Sequence, residues 1–183
     1  MARIAIVGDG PAGLSAALFL AKNGHETTVY GQDQTPMHYA HLRNYLGVPD
    51  DPGPDFQQRA RAQVSHHGAT LRDAEVTEVG RAGESLTVRL DDGGRATVDY
   101  VILAAGKRGL PLARALGADV EGGRVHVDGE YRTTVDRLYA VGRSARPDRS
   151  QAIISAGAGA VAALDILARE AGENVTDWDR IET

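Results

Sequence analysis

The chain begins with an apolar, largely β-branched run, Ile4-Ala5-Ile6-Val7, which passes through Gly8-Asp9-Gly10-Pro11-Ala12-Gly13 into an Ala/Leu-rich stretch of helical period. This predicts a first strand over Arg3–Gly8 and a first helix over about Pro11–Asn23, with Leu14, Leu18 and Ala21 on its buried face and Gly24 closing it in the left-handed conformation. Glu26–Tyr30 reads as a second strand, completing a short βαβ unit. From Gln34 to Pro54 no period is visible, and a loop of that length in a compact domain points to function. Phe56–His67 reads as a helix stopped by Gly68, with His66 and His67 suited to its negative end, and Ala69–Arg72 begins a strand. Three alternating segments follow, Glu75–Val79, Ser85–Leu90 and Arg95–Val98, separated at Gly83 and at Asp91-Asp92-Gly93-Gly94, which predicts an antiparallel meander. Val101–Gly106 is apolar throughout, as a parallel strand covered on both faces would be. A short helix over Leu110–Leu116, strands at Arg124–Val127 and Leu138–Val141, and a long helix over Gln151–Ala171, capped by Ser150 or Asp148, complete the pattern. Gly157 and Gly159 inside that helix each cost about 1 kcal/mol relative to Ala, which predicts close approach by another backbone or a flat ligand.

The fold class expected is α/β, a parallel sheet with helices of Rossmann-like type plus a small antiparallel meander, in one domain over residues 1–183. The three glycines have the spacing G-x-G-x-x-G at a strand-to-helix turn. Gly8 allows the tight turn, Gly10 lets backbone approach a phosphate, and Gly13 lets helix and strand pack closely. A diphosphate would then face the positive dipole end of the helix at Pro11 and Ala12, with free N–H groups from Ala12 onward, since Pro11 has none. The acidic residue expected about 20 residues further on, for ribose hydroxyls, is displaced in Tyr30-Gly31-Gln32-Asp33; Asp33 is either that residue or plain surface loop.

Composition narrows the chemistry. A net charge of −5 argues against general nucleic-acid binding, which needs a basic face. The absence of cysteine removes disulfides, thiolate metal sites and thiol nucleophiles, so any redox chemistry belongs to a bound cofactor. His38 and His41 lie three apart with no third ligand spaced nearby, so no metal site is expected; either could serve as a proton donor in the loop. Arg143, Arg146 and Arg149 recur every three residues and suit either phosphate or solvent. The run Ile4–Val7 is too short for a signal segment, and Asp165 interrupts the longest apolar stretch, so a soluble, cytoplasmic protein without membrane contact is expected.

Several stretches in order, Gly8–Gly13, Val101–Gly106, Tyr139-Ala140-Val141-Gly142 and Ser150–Leu167, resemble the FAD-binding half of thioredoxin reductases, within the pyridine nucleotide–disulfide oxidoreductases. The resemblance is most specific at Gln151-Ala152-Ile153-Ile154-Ser155-Ala156-Gly157-Ala158-Gly159. Asn44-Tyr45-Leu46-Gly47 stands where that family has Asn-aromatic-Pro-Gly beside the flavin. The resemblance implies FAD as cofactor, with Ala105, Gly106 and Gly142 at turns along it. Asn44 would be a flavin contact, and Gln151 and Ala152 would open a helix onto the flavin's pyrimidine edge. The family also inserts an NADPH-binding domain with a C-x-x-C pair before its last strand; here residues 106–139 hold neither a second glycine fingerprint nor a cysteine. The family's Gly-Asp, which holds the ribityl chain, is Gly142-Arg143, and its Ala-Thr-Gly is Ala104-Ala105-Gly106. Its Gly-Gly-Gln loop is replaced by Gln34-Thr35-Pro36-Met37. Arg143 either reaches the diphosphate as a bidentate cation or fills space that FAD needs.

The implied function is a flavoprotein oxidoreductase or electron-transfer component that is not a thioredoxin reductase by itself. Its electron donor or acceptor would be separate, NAD(P)H or a redox protein, and it would pair as a homodimer over the face the missing domain leaves bare. The alternative is a non-catalytic nucleotide-binding or assembly module.

Overall fold

A computed structural model describes residues 1–179. In chain order the elements are β1 (Arg3–Val7), α1 (Pro11–Lys22), β2 (Glu26–Tyr30), β3 (His41–Leu42), β4 (Asp51–Pro52), α2 (Gly53–His66), β5 (Thr70–Arg72) and β6 (Val76–Ala82). Then come β7 (Ser85–Leu90), β8 (Arg95–Val98), β9 (Tyr100–Leu103), α3 (Gly109–Ala115), β10 (Val120–Glu121), β11 (Arg124–Val125), β12 (Leu138–Ala140) and α4 (Ala152–Ala171).

Five strands form one parallel sheet in the order β12-β9-β1-β2-β5. Because strand side chains alternate, the central strands feed two cores. Ile4, Ile6, Tyr100 and Ile102 face α1, α4 and Val64 of α2. Ala5, Val7, Val101 and Leu103 face the antiparallel meander β6-β7-β8 and α3. The apolar run at β9 is thus covered on both sides, as its sequence predicts. The meander has the expected segments, with β6 running on to Ala82 and Gly83 and Gly93 in left-handed turns.

Three expected element boundaries change. Helix α2 starts at Gly53, not Phe56, because Pro54 suits a first helical turn; an added Cβ at Gly53 would stand 2.0 Å from the Met37 carbonyl oxygen. Helix α4 starts at Ala152 with Gln151 as N-cap and no side-chain cap, so neither Ser150 nor Asp148 caps it. The segment Arg124–Val127 is reduced to a two-residue ladder with β10. Between β9 and β12 the chain holds a short 3-10 turn at Gly106–Arg108, α3 and that ladder.

Helices α1 and α4 pack backbone against backbone. At Gly159 an added Cβ would lie 2.0 Å from the Ala12 carbonyl oxygen, so the predicted close backbone approach is made there by α1. Gly157, on the outer side of α4, has nothing within 4 Å. Helix α4 is 20 residues long with a mean hydropathy of 1.6 over an 18-residue window, so by length and composition it does reach spanning size, Asp165 notwithstanding. Here its apolar face packs in the core instead. Asp165, 8% exposed, is gripped bidentately by Arg132 and accepts a 2.6 Å hydrogen bond from the Tyr139 hydroxyl. Burial opposes its ionisation, but these donors outweigh burial and hold the carboxyl below its ordinary range.

Candidate functional site

The sheet order reverses at β1, whose neighbours β2 and β9 lie on opposite sides, and ligands of open parallel sheets sit beyond the strand C-termini at such a point. Beyond the ends of β1, β2, β9 and β12 lies a cleft of about 390 Å³. Gly8, Asp9, Gly10, Pro11 and Ala12 line one wall, Ala104–Arg108 with Gly142 and Arg143 the other. An adjoining hollow of about 300 Å³ shares Pro36, Met37, Ser150 and Ala152, and continues to Asn44 and Gln151. Both volumes reach the size of small-molecule pockets.

The glycine turn is built as its spacing requires. Gly8, at φ +108°, donates its N–H to the Tyr30 carbonyl at 2.8 Å, and a Cβ there would strike the Ala104 backbone at 2.7 Å. A Cβ on Gly13 would sit 1.9 Å from the Gly8 carbonyl oxygen. A Cβ on Gly10 would project to 3.2 Å from the Thr35 hydroxyl, into the space the cleft occupies. The first-turn N–H groups of α1 have no intrahelical partner by helix geometry, and no N-cap side chain satisfies them, so its dipole is unshielded at the cleft.

Across the cleft, Gly106 and Gly142 both adopt left-handed backbone, at φ +57° and +58°. The Ser144 hydroxyl donates to the Gly106 carbonyl at 3.0 Å and holds the two turns together. Arg143 is exposed at this edge and makes no side-chain hydrogen bond or ion pair among the described residues. Lys107 and Arg108 line the same wall, and Arg108 donates to Gln34 Oε1 at 3.4 Å. Sequence reasoning missed both, although they directly follow Gly106. It also missed Ala74, Glu75 and Val76, which the meander folds back into the cleft and which carry no local signal.

At the other end Asn44 Nδ2 donates to Gln151 Oε1 at 3.0 Å, so the loop and the α4 N-terminus, far apart in sequence, are brought together. Asp33 lies outside the cleft lining. Its backbone is left-handed at φ +53°, its N–H donates to Asp9 Oδ2 at 3.0 Å, and Gln57 Nε2 donates to its carboxylate at 3.1 Å. Gln34 and Thr35 border the cleft in its place. His38 pairs with Asp33, and His41 with Asp50, whose carboxyl that hydrogen bond holds below its usual range. Of the spaced arginines only Arg143 reaches the cleft; Arg146 stacks 5.7 Å over the Tyr131 ring.

Residues 2–52 and 44–160 match the sequence pattern of the pyridine nucleotide-disulphide oxidoreductases. The chain belongs to that family. Among curated relatives it is 30% identical over 145 residues to the nitric oxide reductase FlRd-NAD(+) reductase of Vibrio vulnificus, covering 78% of this chain and 35% of that protein. It is 33% identical over 122 residues to the thioredoxin reductase of Streptomyces clavuligerus, covering 62% of this chain and 38% of that one. The chain thus spans little more than a third of these relatives. Among solved structures, the atypical thioredoxin reductase TRi of Desulfovibrio vulgaris Hildenborough superposes with a TM-score of 0.84 at 16% identity, covering 94% of this chain and 99% of that one. A thioredoxin reductase of Gloeobacter violaceus gives 0.81 at 17%, covering 98% and 99%. At these identities the structures establish the thioredoxin reductase-like fold of this family member.

Proposed function

We propose that this family member binds FAD in the cleft and works as a thioredoxin reductase-like oxidoreductase or electron-transfer component, exchanging electrons with a separate NAD(P)H or redox protein. The observation that carries this reading is the pair of uncapped helix N-termini, of α1 and of α4, opening on one continuous cleft beyond the sheet. The cradle at Gly10, which a Cβ would fill, fits a closely approaching diphosphate. The diphosphate would take the N–H groups of the α1 first turn, with Arg143 from the opposite wall as a charge-assisted donor. Asn44 and Gln151, already hydrogen-bonded, would frame the flavin end, where the α4 dipole stabilises negative charge. Bound there, FAD would supply hydride and electron transfer that no side chain in this cysteine-free sequence provides.

A second reading, a nucleotide-binding module without flavin chemistry, is favoured by one observation, the cation Arg143 lining the cleft where the family has an aspartate. Purified protein decides between them. The first reading expects flavin absorption bands after incubation with FAD, and a melting temperature about 5–10 °C higher at 100-fold excess over Kd. Stabilisation by ADP or NAD but not FAD supports the second. Protein that stays colourless, is not reconstituted by FAD and shows no flavin-dependent turnover refutes the first.

A further inference from the structure

The glycine turn contains a carboxylate, Asp9, one residue inside the place where an anion would bind. Asp9 is 5% exposed, and a bare buried carboxylate there would repel a diphosphate. Its side chain is folded down against the end of β2, where Gly31 makes room: a Cβ on Gly31 would stand 2.4 Å from Asp9 Cγ. There Oδ2 accepts the Asp33 N–H at 3.0 Å and forms an ion pair with Arg61 of α2. Gln57, one turn earlier on α2 and 1% exposed, donates to the Asp9 carbonyl at 2.7 Å. Arg61 itself is not among the residues that line the cleft.

We propose that Arg61 is a positioning residue of the binding site: its guanidinium, reaching from behind the turn, fixes the Asp9 carboxylate beneath the backbone and cancels its charge, which lets the turn accept a diphosphate. The inference rests on the dinucleotide reading above. It assigns to α2, a helix that lines no part of the cleft, the task of making the turn neutral toward anions.

The test is a set of four proteins, wild type, Arg61→Met, Asp9→Asn and the double variant, titrated with ADP and with FAD by calorimetry and melted without ligand. Arg61→Met is expected to weaken ADP binding about tenfold, the scale of one unscreened charge at the turn. It is also expected to lower the melting temperature. The double variant is expected to recover ADP affinity to within about threefold of wild type, and Asp9→Asn alone to bind at least as well as wild type. Recovery separates neutralisation from a direct contact, because a direct contact stays lost in the double variant. A folded double variant that binds ADP as weakly as Arg61→Met, or an Arg61→Met protein that binds like wild type, overturns the inference while leaving the dinucleotide reading intact. Wild type that binds neither ADP nor FAD overturns both.

Discussion

Replacing Gly159 by Ala is expected to be destructive, and replacing Gly157, two residues away on the same helix, is expected to help. At Gly159 the added Cβ meets backbone, the Ala12 carbonyl oxygen at 2.0 Å and the Ala16 nitrogen at 3.0 Å, and no side chain is free to turn aside. Helices α1 and α4 must separate by roughly 1 Å or more, opening an interface of Ala16, Ala158, Ala162 and Ala163 in the core. Overpacking of this severity costs about 3 kcal/mol, offset by about 1 kcal/mol of helix propensity, leaving a net loss of about 2 kcal/mol. At Gly157 only the propensity gain remains, about 0.5–1 kcal/mol, because nothing stands within 4 Å. For a chain of this size the two variants should melt about 4–8 °C below and about 1–4 °C above wild type. Thermal and urea unfolding followed by circular dichroism measures both. Because the same movement displaces two helix N-termini, Gly159→Ala should also lose ligand affinity. Equal stability of the two variants, or a loss at Gly157 as large as at Gly159, would refute the packing argument.

Two further predictions concern charge. Arg143→Ala should weaken FAD or ADP binding by about tenfold and make the affinity less sensitive to salt, since a charge-assisted contact to the ligand is removed; unchanged titrations at low and high salt would show that Arg143 faces solvent in the complex. Asp165→Asn should destabilise the fold by about 2–3 kcal/mol at neutral pH, because Arg132 and Tyr139 lose their charged acceptor. The folded-state pKa of Asp165 is depressed, so its contribution is complete above the ordinary value of 3.8 and is lost as pH falls through the lower folded value. The stability of the Asn variant should therefore fall less steeply than that of wild type as pH drops below the ordinary value of 3.8, and parallel curves would refute the assignment.

The parallel sheet, the meander and the glycine turn were legible because each depends on local period and on glycines with local steric duties. Gly13 can be read at a distance of five residues, since the atom it must avoid belongs to Gly8. Gly159 could be read as requiring a close approach but not as to what approaches, because the backbone it accommodates lies in α1, more than a hundred residues earlier. Gly157 carried the same apparent cost, yet it faces open space. The Asn44–Gln151 hydrogen bond brings those two stretches together, and Asp33, left open between ribose partner and plain loop, is bound into the Asp9–Gln57 network. Lys107, Arg108 and Glu75 could not be assigned, because their role depends on which strand ends the sheet order brings together.

Those same residues decide the character of the cleft. The chain as a whole carries a net charge of −5, which by itself disfavours anions. Within the cleft the balance is opposite: Asp9 is consumed by Arg61, leaving Lys107, Arg108 and Arg143 against Glu75. Charges of one sign in a concave site bounded by low-dielectric walls focus their field outward, and two helix dipoles point the same way. Under the proposed function, the walls as well as the turn would favour an anionic, extended ligand. The family's aspartate at position 143 would have cancelled part of that field. With arginine there, a diphosphate bound as proposed would meet cations on the wall opposite the α1 N-terminus, and affinity should depend on ionic strength more steeply than the glycine turn alone would require.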